Sequence, residues 1–302
     1  MSERTRDEQT GPHGIDRRGT ALPAIGDDEE YAVWASLVRG RVGLHFDASR
    51  RHVLTRAVAE RSRALGLTAR GEYLARVKGP EAPVEEWQAL LELLVTQETS
   101  FFREPDTFDV FASTVLPNLL AAQFEGIPLH AWSAGCSTGE EAYSLAMILH
   151  KVVGKRPFLV WGTDIGERAI ETARAGVYSA ARLATCARWR QELYFDPDGQ
   201  DGRFLSVNAR LRASARFTRA DLFVAVTAPL RYDVIWCRNV LMYFDTRERV
   251  RLLNGFVQCL TPGGVLILGP GDVIEGGRFG LARLPVDRIR AWRRSGAAPK
   301  GQ

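Results

Sequence analysis

Between Leu129 and Val153 the chain reads LHAWSA, then GCSTG, then EEAYSLAMILHKVV. A short apolar run, a glycine-bounded loop and an amphipathic stretch in that order make a strand–loop–helix unit. Such a unit buries its strand in a sheet, lays the helix over it, and returns parallel to the first strand. The pattern recurs: FLVWGTDI, ARFTRADL, YDVIWCRNV and GGVLILG read as further strands, with ERAIETARAG and RERVRLLNGFVQCL as helices between them. The expected core is an α/β, Rossmann-like, doubly wound and mostly parallel sheet. PDTFDVFASTVLPNLLAAQ reads as one helix ahead of it.

The alternation breaks between about 188 and 216, where the turn-rich DPDGQDG precedes RFLSVNARLRASARF; a small antiparallel β insertion is expected there. Before position 97 the texture is different. YAVWASLVRGRVG, DASRRHVLTRAVAERSRALG, ARGEYLARVKG and PVEEWQALLELLV all have helical spacing and are separated by Gly or Pro. Three regions follow: a disordered tail over 1–28, an all-α domain over 29–96, and the sheet domain over 97–302.

Charge is placed unevenly. From Arg39 to Lys78 there are ten cations against Asp47, Glu60 and Glu72, in a chain whose net charge is only +4. Such an excess suits an acidic partner, and equally a solvated arginine-rich face. On the helix from Asp47 to Gly66, Leu54, Val58 and Leu65 share one face. Arg56 and Arg63 fall opposite, with Arg50 and Arg51 on the flanks. The four cysteines are scattered without a C-x-x-C pair, so neither zinc nor a disulfide framework is expected. No apolar run approaches the roughly 18 residues of a membrane span. The polar N-terminus does not read as a signal peptide, so a cytoplasmic, monomeric protein that binds no nucleic acid is expected.

Gly135-Cys136-Ser137-Thr138-Gly139 also matches G-x-S-x-G, the nucleophile elbow of a hydrolase. That chemistry needs a histidine after the serine and after an acid. Of five histidines only His150 follows Ser137, and it lies several turns down the helix opened by the loop. A ligand cradle fits better: the glycines permit close approach, and Asp164 ends the next strand, where a carboxylate can accept both hydroxyls of an adenosyl ribose. Glu140 and Glu141 at the helix start are favoured by its dipole and disfavour a phosphate. A cationic ligand such as S-adenosylmethionine is more compatible.

Four stretches then occur in order: Gln97-Glu98-Thr99-Ser100-Phe101-Phe102-Arg103-Glu104; Trp132-Ser133-Ala134 through Gly139-Glu140-Glu141-Ala142-Tyr143-Ser144; Thr163-Asp164-Ile165; and Cys237-Arg238-Asn239-Val240-Leu241-Met242-Tyr243-Phe244. Together they resemble the CheR-type methyltransferases, which methylate glutamates of chemoreceptors. The resemblance runs from about Tyr31 to about Trp292. It implies S-adenosylmethionine as cofactor and S-adenosylhomocysteine as product. The implied cofactor residues are Thr99, Arg103, Ala134, Gly135, Glu140, Asp164, Asp221, Asn239 and Val240. Arg103 and Tyr243 match the residues nearest the transferred methyl, although Arg103 has an alternative in pairing with Glu104 or Asp106.

The chain departs from the family at Asp221, where Asn is common, and at Gly269-Pro270-Gly271-Asp272, where G-H-S-E is frequent. The resemblance gives the basic helix a use, with Arg50, Arg51, Arg56 and Arg63 docking the glutamate-rich coiled coil of a receptor. It also implies a place for a receptor's C-terminal peptide at the β insertion. Two alternatives stand beside it: methyl transfer to another acceptor in a chemosensory-like pathway, and a non-catalytic signalling module that keeps the fold.

Overall fold

The computed structural model describes residues 25–69, 71–79, 81–95, 98–123, 126–199, 202–272 and 274–295. Most of the tail expected to be disordered therefore lies outside the described residues. Its last positions are ordered: Ile25 is buried, and the Asp27 carboxylate accepts from Glu30 N at 2.8 Å to cap the first helix. The described residues form two compact units, one up to Leu94 and one from Val95.

The first unit is helical. It comprises α1 (Asp28–Val42), α2 (Arg51–Ala64), α3 (Glu72–Lys78) and α4 (Val84–Leu94). Gly43 ends α1 with φ +73°, a left-handed cap that favours glycine. The α2 pattern is realised in most of its positions, with Leu54 and Val58 buried and Arg56 and Arg63 exposed, while Leu65 is the half-buried C-cap just beyond the helix. Trp34, Trp87, Leu90 and Leu94 complete the core, and Trp34 stacks on Tyr73 with ring centroids 5.4 Å apart. Inside it sits a polar triad. Arg61 donates two bonds to the Glu86 carboxylate, each 2.8 Å, and the Tyr73 hydroxyl donates a third at 2.8 Å. Burial pushes Glu86 up, but these bonds outweigh it and leave its pKa below the usual carboxylate value.

The second unit opens with α5 (Pro105–Val110), a π-helical stretch over Phe111–Val115, and α6 (Leu116–Ala121). The single helix expected here is thus interrupted. Pro117 has no N–H to give to the preceding turn, and the wider π turn absorbs the lost bond. The chain continues through β1 (Leu129–Ala134), α7 (Glu140–Val152), β2 (Phe158–Asp164), α8 (Glu167–Ala175) and β3 (Val177–Ser179). Next are α9 (Arg188–Tyr194), β4 (Phe195–Asp198), β5 (Phe204–Val207), α10 (Ala209–Ala213), β6 (Ala215–Arg219) and α11 (Leu222–Ala225). It ends in β7 (Tyr232–Cys237), α12 (Thr246–Cys259), β8 (Leu260–Leu268), β9 (Leu281–Arg283) and β10 (Arg290–Arg294).

Among the described residues the main sheet has the order β6-β2-β1-β7-β8-β10-β9. The first five strands are parallel, and β10 and β9 add antiparallel at the end. Every residue of β7 is buried, as a strand covered on both faces requires. Trp236 on β7 stacks on Phe108 of α5 at 4.8 Å and meets the edge of Phe111 at 5.1 Å. Because β1 leads to β2 on one side and has β7 on the other, the order reverses at β1. Open parallel sheets bind ligands in the crevice outside that switch point, at the carboxyl ends of the strands.

The small antiparallel sheet is present in the order β3-β5-β4, but its extent differs from the expected 188–216. It begins earlier, at Val177, because the three-residue strand VYS pairs with β5. It ends earlier too. The Asn208 side chain accepts from Leu211 N at 3.0 Å and starts α10, and Ala215–Arg219 is the edge strand of the main sheet beside β2.

Candidate active site

The loop after β1 is shaped by its neighbours. Gly135 has φ +79°, and a Cβ there would collide with the Val240 side chain. Gly139 has φ +96°, and its Cβ would lie 2.7 Å from Ala173 Cβ and 3.0 Å from the Tyr178 hydroxyl. Both glycines are demanded by protein packing, a tighter constraint than room for a ligand. Gly135 N and Cys136 N both donate to Thr163 O, at 2.8 and 2.9 Å. Ser137 N donates to Asp164 Oδ2 at 2.9 Å, and Gly166 N to Asp164 Oδ1 at 2.9 Å. Burial pushes the Asp164 pKa up, and these backbone bonds pull against it. His150, half-buried near the end of α7, meets the Tyr194 hydroxyl at 3.2 Å, several turns from Ser137.

The two adjacent glutamates separate. One residue of helix is a rotation of about 100°, enough to send neighbours to different surroundings. Glu140 is completely buried; Thr138 Oγ1 donates to it at 2.6 Å and Arg182 Nη1 at 2.5 Å. Its charge is therefore already matched. Glu141 is half-buried, accepts from Ser133 Oγ at 2.9 Å, and has Arg238 Nη1 3.8 Å away. Burial pushes Glu141 up to about 7, against the pull of Arg238 and, more weakly, of Arg103.

Arg238 follows β7, and its side chain has no exposure. It donates from Nη1 to Arg103 O at 2.9 Å and pairs from Nη2 with Glu104 Oε2 at 2.7 Å. One buried guanidinium thus fixes the main chain at Arg103, the side chain at Glu104 and the field at Glu141. The segment it holds is strained: Phe102 and Glu104 have φ of +54° and +59°, a region costly for residues with a Cβ. Phe102 N donates to Ser144 Oγ on α7 at 3.0 Å, and the Arg190 guanidinium lies 3.9 Å over the Phe102 ring. Between these anchors the Arg103 side chain is half-buried and donates to Glu98 O at 2.7 Å. Its alternative partners are engaged elsewhere, Glu104 with Arg238 and Asp106 with Arg288.

The remaining expected residues gather at the same edge. Ala134 ends β1, Asp164 ends β2, Asp221 follows β6, and Asn239 and Val240 follow β7, strands that lie side by side. Asp221 caps α11 by accepting from Phe223 N at 2.7 Å, an acceptor role an asparagine side chain would fill equally. Asn239 has φ +58°, and Tyr243, half-buried, stands in the short turn Leu241–Tyr243 after it. Thr99 is half-buried four residues before Arg103. The Pro270 departure is accommodated. Asp272 N closes a turn onto Gly269 O at 3.0 Å, Pro270 takes a position that needs no N–H, and the buried Asp272 carboxylate accepts from Gly269 N at 3.0 Å.

The docking residues expected on α2 divide. Arg50 donates to His45 O at 2.9 Å and Leu94 O at 3.4 Å and covers the Phe46 ring at 4.4 Å. Arg51 pairs with Asp28 and covers Tyr31 at 4.7 Å. These two hold the helical unit together. Arg56 and Arg63 make no hydrogen bond or ion pair with the described residues. Sequence reasoning missed Arg238, Glu141 and Arg182. The one available signal was a charge directly after YDVIWC, a strand too apolar to leave its next residue in solvent.

A parallel sheet with an antiparallel edge pair, an acid closing the second strand and a half-buried glutamate at the start of the helix after the first define a nucleoside-binding α/β protein of the methyltransferase class. The chain belongs to the CheR methyltransferase family: residues 97–284 match its SAM binding domain and residues 29–95 its all-alpha domain. The cofactor of this enzyme is S-adenosylmethionine, and the donor set fits it. Asp164 has the chemistry to accept from ribose hydroxyls, and Glu141 to accept from an ammonium. The chain is 33% identical over 88% of its length to a chemotaxis protein methyltransferase of Klebsiella aerogenes, covering 92% of that protein. It is 32% identical to the chemotaxis protein methyltransferase of Salmonella typhimurium, over 81% of this chain and 84% of that one. A probable biofilm formation methyltransferase, WspC, of Pseudomonas putida is 33% identical over 84% of this chain and 59% of its own length. Among the described residues no helix is long and apolar enough to cross a membrane.

Proposed function

We propose that the protein methylates side-chain carboxylates of glutamates on chemoreceptors, giving glutamate methyl esters and S-adenosylhomocysteine. The observation that carries this reading is the Arg103 guanidinium on a strained segment whose main chain is pinned by buried Arg238. A planar, permanently charged fork held in place suits an incoming carboxylate. The cofactor, when bound, supplies an electrophilic methyl on a sulfonium. A glutamate acceptor is already ionised near neutral pH and needs no general base. The protein's contribution is orientation and exclusion of water. Arg103 aligns the acceptor and Tyr243 closes the same side. Asp164 holds the ribose, Glu141 rather than the sequestered Glu140 holds the ammonium, and Asp221, Asn239, Val240, Thr99, Ala134 and Gly135 complete the walls.

On the helical unit, Arg56 and Arg63 are the residues available to an acidic coiled coil. On the inserted sheet, β3 and β4 are the edge strands, where an extended receptor peptide would add. The WspC relative favours a second reading, the same chemistry in a chemosensory pathway whose output is not swimming. The test is transfer of tritiated methyl to membranes of the source organism. Base-labile label on receptor-sized bands is expected, lost in Arg103→Ala and in Asp164→Ala. Absence of such label with the unaltered protein overturns the reading.

A further inference from the structure

The carboxyl edge of the sheet has a second concavity, of about 290 Å³, beside the ends of β8 and β10. Leu268, Pro270 and Thr107 form its apolar and turn walls, and Arg283, Arg288 and Arg290 line it with Asp287 as the one carboxylate. A smaller cavity of about 190 Å³ shares Arg283 and Arg290. With Asp106 paired to Arg288 from beside Thr107, three guanidiniums face two acids, which leaves a net positive charge at a place with volume to hold a ligand group.

The three arginines differ in how firmly they are held. Arg283 is fixed: it donates to Ala291 O at 3.1 Å and Ile289 O at 3.0 Å and lies 4.8 Å over Trp292. That leaves part of its five-donor fork unused. Burial, and then the charge of Arg290, pull its pKa below the usual arginine value, so the two like charges are kept close at a cost. Arg290 is exposed and makes no hydrogen bond or ion pair with the described residues. Arg288 has φ +60°, strained for a long side chain. Its one ion pair, to Asp106 at 3.4 Å, is 71% and 61% exposed on its two sides and holds it only weakly. A carboxylate from outside can replace Asp106 at little cost.

The concavity also adjoins the cofactor crevice. Leu268 lines it, and the next residue, Gly269, is so close to the loop after β7 that a Cβ would stand 3.0 Å from Asn239 N. We propose that this basic concavity receives a second carboxylate of the acceptor, from an acidic residue near the glutamate presented to the crevice. The proposal rests on the glutamate-methylating reading above. It makes an acidic stretch, rather than an isolated glutamate, the preferred substrate.

The test is the double variant Arg288→Glu/Arg290→Glu in the full chain, leaving Arg283 and its backbone bonds intact. Calorimetry with S-adenosylhomocysteine should give unchanged affinity, which shows the fold and crevice are preserved. With a chemoreceptor cytoplasmic fragment as acceptor, KM should rise about tenfold while kcat stays within about twofold. A second measurement is independent of methyl transfer: fluorescence anisotropy of a labelled ten-residue polyglutamate peptide with the S-adenosylhomocysteine-loaded protein. Binding should weaken about tenfold in the double variant and fall with added salt. Peptide binding that is absent in the unaltered protein, or equal in the double variant, overturns the proposal. A failure of receptor methylation with peptide binding still sensitive to Arg288 and Arg290 overturns the glutamate-methylating reading instead.

Discussion

The helical unit and the sheet unit are both rich in arginine and use it in opposite ways. On α2, Arg56 and Arg63 are exposed and unpaired among the described residues, while Arg61 reaches inward to Glu86, which also accepts from Tyr73. In the sheet unit the most consequential arginine, Arg238, is wholly buried and meets Glu104, the main chain of Arg103 and the field of Glu141. An exposed arginine costs the fold little and is available to a partner. A buried one must satisfy carboxylates, and in doing so it fixes where they are. The first kind makes a surface, the second a geometry.

That contrast can be broken most forcefully at Arg238. Arg238→Met strands Glu104 and Glu141 and should cost about 3–5 kcal/mol in urea unfolding, with methyl transfer lost. Arg238→Lys keeps the charge and should recover stability more than activity, because an ammonium cannot reproduce the fork. Equal loss of both would make Arg238 a stability residue alone. In the helical unit, Glu86→Gln removes the charge and replaces one of the two oxygens that accept these three bonds by a donor, and should cost about 2 kcal/mol, since Arg61 retains some solvent. S-adenosylhomocysteine affinity should not change.

A third test concerns Glu141. With its pKa raised to about 7 it is largely protonated below that pH, and a bound ammonium favours its ionised form. Affinity for S-adenosylhomocysteine should therefore rise with pH up to about 7, by at most about tenfold per unit, and level off above. Glu141→Gln should flatten the profile, and a profile unmoved by this change would return the ammonium to Glu140. The smallest effect on folding belongs to α2. Arg56→Glu/Arg63→Glu should leave stability within about 0.5 kcal/mol and yet weaken receptor methylation in low salt. A change in unfolding midpoint without a change in methylation would erase the distinction between the units.

The alternation of strands and helices was legible because buried parallel strands are plain apolar runs and their helices carry a 3.6-residue period. What escaped reading has physical causes. Val177–Ser179 is too short to show a period, so the inserted sheet starts earlier than its turn-rich loop suggests. The break over Phe111–Val115 depends on one proline inside an otherwise helical pattern. In the site, a carboxyl at the end of β2 is visible from order alone. Which of two adjacent glutamates is sequestered by Thr138 and Arg182 is not, because it depends on where helix α7 begins and how it is rotated. The burial of Arg238 is a tertiary fact, settled by Phe108, which comes from a distant part of the chain and closes over it beside Trp236 of β7.

The inserted sheet has hands on the crevice. Tyr178 of β3 donates to Thr138 O at 2.7 Å, Arg182 just beyond it binds Thr138 and Glu140, and Thr185 donates to Phe101 O at 2.8 Å. The glycine loop and the Arg103 segment are thus both fastened to the insertion. Any ligand of that sheet whose binding depends on how those fastenings sit is thermodynamically linked to the cofactor. By reciprocity, the factor by which it alters cofactor affinity is the factor by which cofactor alters its own. A segment that interrupts the sheet's regular alternation is thereby tied, bond by bond, to the loop and to the strained turn that the sheet's edge presents.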